Sequence, residues 1–173
     1  METLTVTGYP KNANHVRKLV TLCREILIVC DELNIQPVLS GCMAAFAYTN
    51  DPELEVADLD LSCSEKEFPA LKSAIESRSV LVNVTSWHVL QVRDEELKIE
   101  FDSQEVWMAD MDLAPLNVDL YGLRLRIVDH ASLLELYRRA IKTLSETKDP
   151  LQRLKCRKLK ITYSTIEAAT PSR

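Results

Sequence analysis

Four acidic residues lie in two short stretches whose alternation of apolar and polar residues is typical of β-strands. In the stretch ADLDL, Asp58 and Asp60 share one face and the leucines share the other. In the stretch LKIEFDS, Glu100 and Asp102 share a face with Lys98. Two carboxylates about 7 Å apart on one strand repel each other unless a cation lies between them. Carboxylate oxygens suit Mg²⁺, which also binds substrate phosphates, so the pattern predicts a divalent-cation site if the strands are neighbours.

Each stretch taken alone also fits an ordinary strand whose acids face water. A third feature favours the chemical interpretation. Gly41, one of only three glycines, lies between a predicted strand at 35–40 and an alanine-rich helix at 42–48. Glycine lets a phosphate approach the backbone, and a helix N-terminus presents free N–H groups, although a simple tight turn explains the same residue. Ser40, Gly41 and Cys42 are therefore candidate nucleotide-binding residues.

The apolar spacing predicts the elements that must position these residues. The predicted helices cover residues 14–33, 42–48, 65–77, 130–145 and 150–168; the predicted strands cover 35–40, 58–63, 79–86, 88–94 and 97–103, with one or two more at 118–129. We expect an α+β fold, a mixed β-sheet with helices packed mainly on one side and helices at the C-terminus. The expected domains are an α/β core at 1–128 and a helical segment at 129–173 packed on it.

Composition narrows the class of protein. A formal net charge of −5 argues against strong general binding of nucleic acid. No stretch reaches about 18 uninterrupted apolar residues, so we expect no membrane segment, and the N-terminus lacks the features of a signal peptide. The five cysteines form no CxxC pair, which indicates free thiols and a cytoplasmic protein.

Together these motifs resemble the DNA polymerase β-like minimal nucleotidyltransferase superfamily. The matching residues are the glycine turn at 39–42, the D-x-D pair at 57–61 and the acid within 98–101. Within that superfamily the chain is most similar to small stand-alone enzymes of the antibiotic-modifying and abortive-infection, toxin–antitoxin type. Those commonly carry a helical segment after the core, which residues 129–150 (DHASLLELYRRAIKTLSETKDP) resemble.

The resemblance implies transfer of a nucleoside monophosphate from a nucleoside triphosphate, with ATP expected, to a hydroxyl acceptor. It implies that Asp58 and Asp60 bind Mg²⁺ or Mn²⁺ and that a second ion is shared with Glu100 or Asp102, Glu100 being the first choice. Glu100 or Asp102 would also be the general base, and the turn at Gly41 would hold the phosphates. The acceptor stays open between a small molecule, a protein and tRNA.

A second interpretation is a catalytically degenerate nucleotidyltransferase fold that acts as a binding partner, antitoxin-like or regulatory. Cys42 stands where the superfamily usually has serine, and the tract TNDPELEV before Asp58 is acidic. Stabilisation by a triphosphate that depends on metal would distinguish the enzyme from the binding partner.

Overall fold

The computed structural model describes residues 2–169. Within them, eight strands form one sheet: β1 (Thr3–Val6), β2 (Val38–Ser40), β3 (Leu59–Cys63), β4 (Leu81–Val84), β5 (Val89–Asp94), β6 (Leu97–Ser103), β7 (Leu116–Leu120) and β8 (Leu123–Ile127). The helices of the same part of the chain are α1 (Ala13–Glu32), α2 (Gly41–Thr49), α3 (Phe68–Glu76), α4 (Gln104–Trp107), α5 (His130–Ser145) and α6 (Pro150–Ala168), with a 3₁₀ turn at Glu65–Glu67.

The sheet is mixed, with the order β1-β7-β8-β2-β3-β6-β5-β4. The strands β3 and β6 are parallel neighbours near its middle, and β2 pairs antiparallel with β3 and parallel with β8. The stretches at 88–94 and 97–103 form the expected antiparallel hairpin. The predicted α+β fold with a mixed sheet and C-terminal helices is confirmed.

The register between β3 and β6 sets the faces of both strands. Asp60 lies opposite Glu100, and Ser62 lies opposite Asp102. The apolar residues that alternate with them are completely buried: Leu59, Leu61, Ile99 and Phe101. A shift of one residue would exchange the two sets, so burial of the apolar set fixes the acids on the other face.

Four predicted strands begin later than expected, including 79–86 at Leu81 and 88–94 at Val89, and the other two bear on the site. The predicted strand at 35–40 begins only at Val38, because the Ile35 N–H donates to the Cys30 carbonyl at 2.8 Å and so closes the end of α1. Pro37 has no N–H to offer a neighbouring strand. The predicted strand at 58–63 begins at Leu59, which leaves Asp58 just before β3.

Side-chain caps begin both C-terminal helices. The Asp129 carboxylate accepts from the Ser132 N–H at 3.0 Å, and the Asp149 carboxylate accepts from the Leu151 N–H at 2.9 Å. Both α5 and α6 contact α2. The division between domains at 128 and 129 stays a prediction, and residues 1 and 170–173 of the predicted domains lie outside the described residues. Among the helices at 2–169, none combines the length and apolar character that crossing a membrane requires.

Candidate active site

Three carboxylates meet on the polar face of β3 and β6. Asp58, Asp60 and Glu100 each offer an oxygen, and these oxygens lie within 4.8 Å of one another. The parallel register brings Glu100 beside Asp60, and the two-residue repeat of a strand places Asp58 on the same side. Asp102 lies on this face, outside the group of three. Such a cluster of hard oxygen donors fits a divalent cation.

An ammonium group lies among these carboxylates. The Lys98 Nζ lies 2.8 Å from the Asp58 Oδ2 and forms a second ion pair with the Glu100 Oε1. The three side chains are largely shielded, with exposed fractions of 25% for Lys98, 25% for Asp58 and 15% for Glu100. Lys98 therefore links the acid that precedes β3 with the acid on β6.

Gly41 lies directly against Asp60. Its φ of +65° is in the left-handed region that favours glycine. A Cβ at this position would lie 2.7 Å from the Asp60 Cγ and would overlap an Asp60 carboxylate oxygen. Gly41 is the first residue of α2, and its lack of a side chain leaves room for the Asp60 carboxylate. The backbone N–H groups of this first turn have no partner within the helix.

The segment that leads into Asp58 is attached to the start of α1. The Asn12 side chain donates to the Val56 carbonyl at 2.6 Å and accepts from the Val56 N–H at 3.0 Å. The Lys11 N–H donates to the Leu54 carbonyl at 2.8 Å. These hydrogen bonds fix the position of residues 54–56, which precede the D-x-D pair and are not part of a strand.

Solved structures of nucleotidyltransferases share this architecture. The antibiotic-resistance factor ANT(2″)-Ia in solution superposes with a TM-score of 0.59 at 16% identity, over 88% of this chain and 91% of that chain. An antigenic nucleotidyltransferase-like protein from Paracoccidioides brasiliensis gives 0.58 at 12% identity, over 94% and 80%. The lincosamide antibiotic adenylyltransferase LnuA, lincomycin-bound, gives 0.52 at 9% identity, over 86% and 96%.

The chain has the nucleotidyltransferase fold. The resemblance inferred from its motifs is confirmed at the level of fold. No protein-family model matches the sequence, and no curated protein sequence matches it either. The similarity to these proteins is therefore one of fold, at sequence identities of 9% to 16%.

Two of the candidate nucleotide-binding residues of this nucleotidyltransferase fold are turned towards the protein. The Ser40 hydroxyl is buried and donates to the Asp60 carbonyl at 3.4 Å. The Cys42 thiol donates to the Glu55 carbonyl at 3.4 Å. At this turn the groups left to meet a ligand are therefore backbone N–H groups of α2.

The sequence reasoning missed a tyrosine that α5 brings to the site. Tyr137 is buried, and its hydroxyl lies close enough to the Cys42 thiol for the two groups to influence each other's pKa. Burial raises the pKa of the Cys42 thiol to about 12, and the charges of Asp60 and Asp58 act in the same direction. The spacing of Leu133 and Tyr137 on α5 indicates a buried face, but nothing local indicates its partner.

The carboxylates are costly to ionise together. Burial raises the Asp60 pKa well above its usual range, and the negative charges of Asp58, Asp102 and Glu100 raise it further, while Lys98 opposes them. Burial, followed by the charges of Glu100 and Asp58, raises the Asp102 pKa to about 7. Burial disfavours the charge on Lys98, but its hydrogen bonds to Asp58 and Glu100 outweigh burial and raise its pKa. A bound cation would relieve this repulsion.

A glutamine also missed by the sequence reasoning holds the third acid. The Gln91 side chain on β5 donates to the Glu100 Oε2 at 3.1 Å. The two residues are opposite each other in the antiparallel pair of β5 and β6. With Lys98 on one oxygen and Gln91 on the other, the Glu100 carboxylate is fixed in orientation.

Proposed function

We propose that the protein transfers a nucleoside monophosphate from a nucleoside triphosphate to a hydroxyl acceptor, with a divalent cation held by Asp58, Asp60 and Glu100. The observation that carries this proposal is the meeting of three carboxylate oxygens within 4.8 Å beside the Gly41 turn. The shared fold of the antibiotic-modifying enzymes supports it.

The residues present fit a divalent cation of the Mg²⁺ or Mn²⁺ type. When bound, such a cation neutralises phosphate charge and orients the triphosphate. Asp58 and Glu100 each pair with the Lys98 ammonium, so oxygens of both carboxylates are already directed at a positive charge. Asp60 brings a carboxylate oxygen that lies beside Gly41, where only glycine leaves room for it.

The transfer itself is a displacement at the α-phosphorus. The acceptor oxygen forms a bond to that phosphorus, the bond from phosphorus to the oxygen of the β-phosphate breaks, and pyrophosphate leaves. The hydroxyl proton passes to a carboxylate. We assign it to Asp102, because Asp102 lies on the same face but outside the group proposed to hold the cation. Backbone N–H groups at the start of α2 would bind the phosphates of the departing pyrophosphate.

The structural neighbours support the choice of substrates. A structure of ANT(2″)-Ia contains adenylyl-2″-tobramycin, and it superposes with a TM-score of 0.58 at 13% identity over 86% of this chain. The LnuA structure contains lincomycin. We therefore propose ATP as the donor and a hydroxyl of a small molecule as the acceptor.

Thermal unfolding with each of the four nucleoside triphosphates, with and without Mg²⁺, tests the donor half of the proposal. We expect stabilisation by ATP only when Mg²⁺ is present, and loss of that effect in Asp58→Asn. Incubation with ATP labelled at the α-phosphate and a panel of aminoglycosides and lincosamides then tests the transfer. Absence of any triphosphate binding in the presence of Mg²⁺ or Mn²⁺ would refute the proposal.

One observation favours the second candidate function, a binding partner that does no chemistry. Lys98 already partners Asp58 and Glu100, so part of the cluster is neutralised without a metal. For that function, metal and triphosphate would leave the melting temperature unchanged in both the wild type and the Asp58→Asn variant. The same unfolding experiment therefore separates the two functions.

A further inference from the structure

Lys98 lies at the place where the sequence resemblance implies one of two divalent cations. Its ammonium is paired with one oxygen of Asp58 and one oxygen of Glu100, two of the three grouped acids. A second cation that bridged those two acids would have to share their oxygens with the ammonium as well as with the first cation. An ammonium and a metal ion compete for such a position, because each requires the negative charge that the other neutralises.

Charge counting agrees with a single metal ion. The three grouped carboxylates carry three negative charges when all are ionised. One divalent cation and the Lys98 ammonium supply three positive charges, whereas two divalent cations and Lys98 would supply five. The excess would lie in a shielded place, where uncompensated charge is unfavourable.

The neighbouring strand opposes displacement of Lys98. Arg93 on β5 lies directly opposite Lys98 in the antiparallel pair of β5 and β6, so both side chains leave the sheet on the same face. If a second metal displaced Lys98 towards β5, the ammonium would approach the positive charge of Arg93. The two carboxylates on the other side leave Lys98 a favourable position only within the cluster.

We propose that Lys98 takes the place of one divalent cation, so that the protein holds one metal ion where the resemblance implies two. This inference rests on the proposed function, since it concerns the same site. Lys98 is then a positioning residue that holds Asp58 and Glu100 at a fixed separation and limits the metal stoichiometry.

Binding of Mn²⁺ alone tests the inference without reference to turnover. The free Mn²⁺ that remains is measured by electron paramagnetic resonance for the wild type, Lys98→Met and Lys98→Gln. Lys18→Met is the matched control. It removes the same charge from an exposed ion pair, and the partner in that pair, Glu96, is not one of the grouped acids. Circular dichroism and thermal melting check that each variant is folded, and the glutamine variant replaces the methionine variant if the latter unfolds.

We expect one Mn²⁺ per chain in the wild type and in Lys18→Met, and two in Lys98→Met. The first Mn²⁺ should also bind roughly tenfold more tightly once a unit charge a few ångströms from it is gone. Two ions in the wild type, or one ion in both the wild type and Lys98→Met, would overturn the inference.

The remaining outcomes separate this inference from the proposed function. Two Mn²⁺ ions in the wild type together with stabilisation by ATP and Mg²⁺ would leave the proposed function standing and remove only the role of Lys98. Binding in Lys98→Met but none in the wild type would overturn the inference and favour the binding partner. No Mn²⁺ in any variant and no stabilisation by ATP would overturn both.

Discussion

At Gly41 two separate requirements fall on one residue. The backbone is in the left-handed region, and the space that a side chain would fill belongs to Asp60. Glycine meets the first requirement, a left-handed backbone, at many turns, because it adopts a positive φ without steric strain. The second is particular to this site, because it places the start of α2 directly against the Asp60 carboxylate of the D-x-D pair.

The two requirements can be separated by comparing Gly41→Ala with Gly122→Ala. Gly122 also has a left-handed φ, +85°, but nothing lies within 4 Å of the Cβ that it would gain. Each substitution should lower the free energy of unfolding by about 1 kcal/mol through backbone strain. Only Gly41→Ala should also weaken Mn²⁺ binding, because it displaces the Asp60 carboxylate. Isothermal titration calorimetry measures the difference, and equal Mn²⁺ affinities in the two variants would contradict this account.

The two acids of the D-x-D pair should differ in their effect on the stability of the metal-free protein. The Asp60 side chain is partly buried and its pKa is raised, so its ionisation opposes folding at alkaline pH. We expect Asp60→Asn to raise the free energy of unfolding by about 1 kcal/mol at pH 8. Asp58→Asn should bring no such gain, because Lys98 would lose a partner.

Urea unfolding of the wild type and both variants at pH 8, with a chelator present, measures these effects. Both substitutions should nevertheless abolish binding of Mg²⁺, since each removes a ligand oxygen. An Asp60→Asn protein less stable than the wild type under these conditions would show that the Asp60 carboxylate contributes favourably to the metal-free fold.

Among the elements, the start of α1 has an unexpected part in the site. Asn12 forms both hydrogen bonds to Val56, two residues before Asp58. Asn12→Ala should lower the free energy of unfolding by about 1 to 2 kcal/mol, since a buried N–H and carbonyl lose their partners. It should also accelerate hydrogen exchange at 54–57 and weaken Mn²⁺ binding.

Asn14→Ala is the matched control for that prediction. Asn14 is close by in the first turn of α1, and its side chain accepts a hydrogen bond from the exposed Arg17 at 3.0 Å. We expect the rate of amide hydrogen exchange at 54–57 in this variant to equal that of the wild type. Unchanged exchange in Asn12→Ala would show that the segment is held by its other contacts.

The contacts at element level also show what the sequence could predict and what it could not. Alternation predicted the faces of β3 and β6, because burial of Leu59 and Phe101 decides both. The order of the strands could not be predicted, because pairing between strands far apart along the chain leaves no local pattern. Tyr137 and Asn12 could not be found, because their partners Cys42 and Val56 are far away along the chain and no periodicity relates them.

For the whole molecule, the carboxylates of the site are part of the formal net charge of −5. The Asp102 pKa rises from 3.8 to about 7 on folding, so the folded protein binds more protons than the unfolded chain between these values. Stability contributed by Asp102 is therefore present at low pH and is lost as pH rises towards 7. The Asp60 carboxyl acts in the same direction.

A divalent cation should reverse this dependence, because it competes with protons for the same oxygens. We expect Mg²⁺ to leave the melting temperature almost unchanged at pH 5 and to raise it clearly at pH 8. Without metal, the free energy of unfolding of the wild type should fall on the order of 2 kcal/mol between these pH values. Asp102→Asn should remove much of that fall, since the group that titrates is gone. Melting curves at both pH values, with Mg²⁺ or a chelator, measure all three effects. An equal loss of stability in the wild type and Asp102→Asn would place the titrating group elsewhere in the molecule.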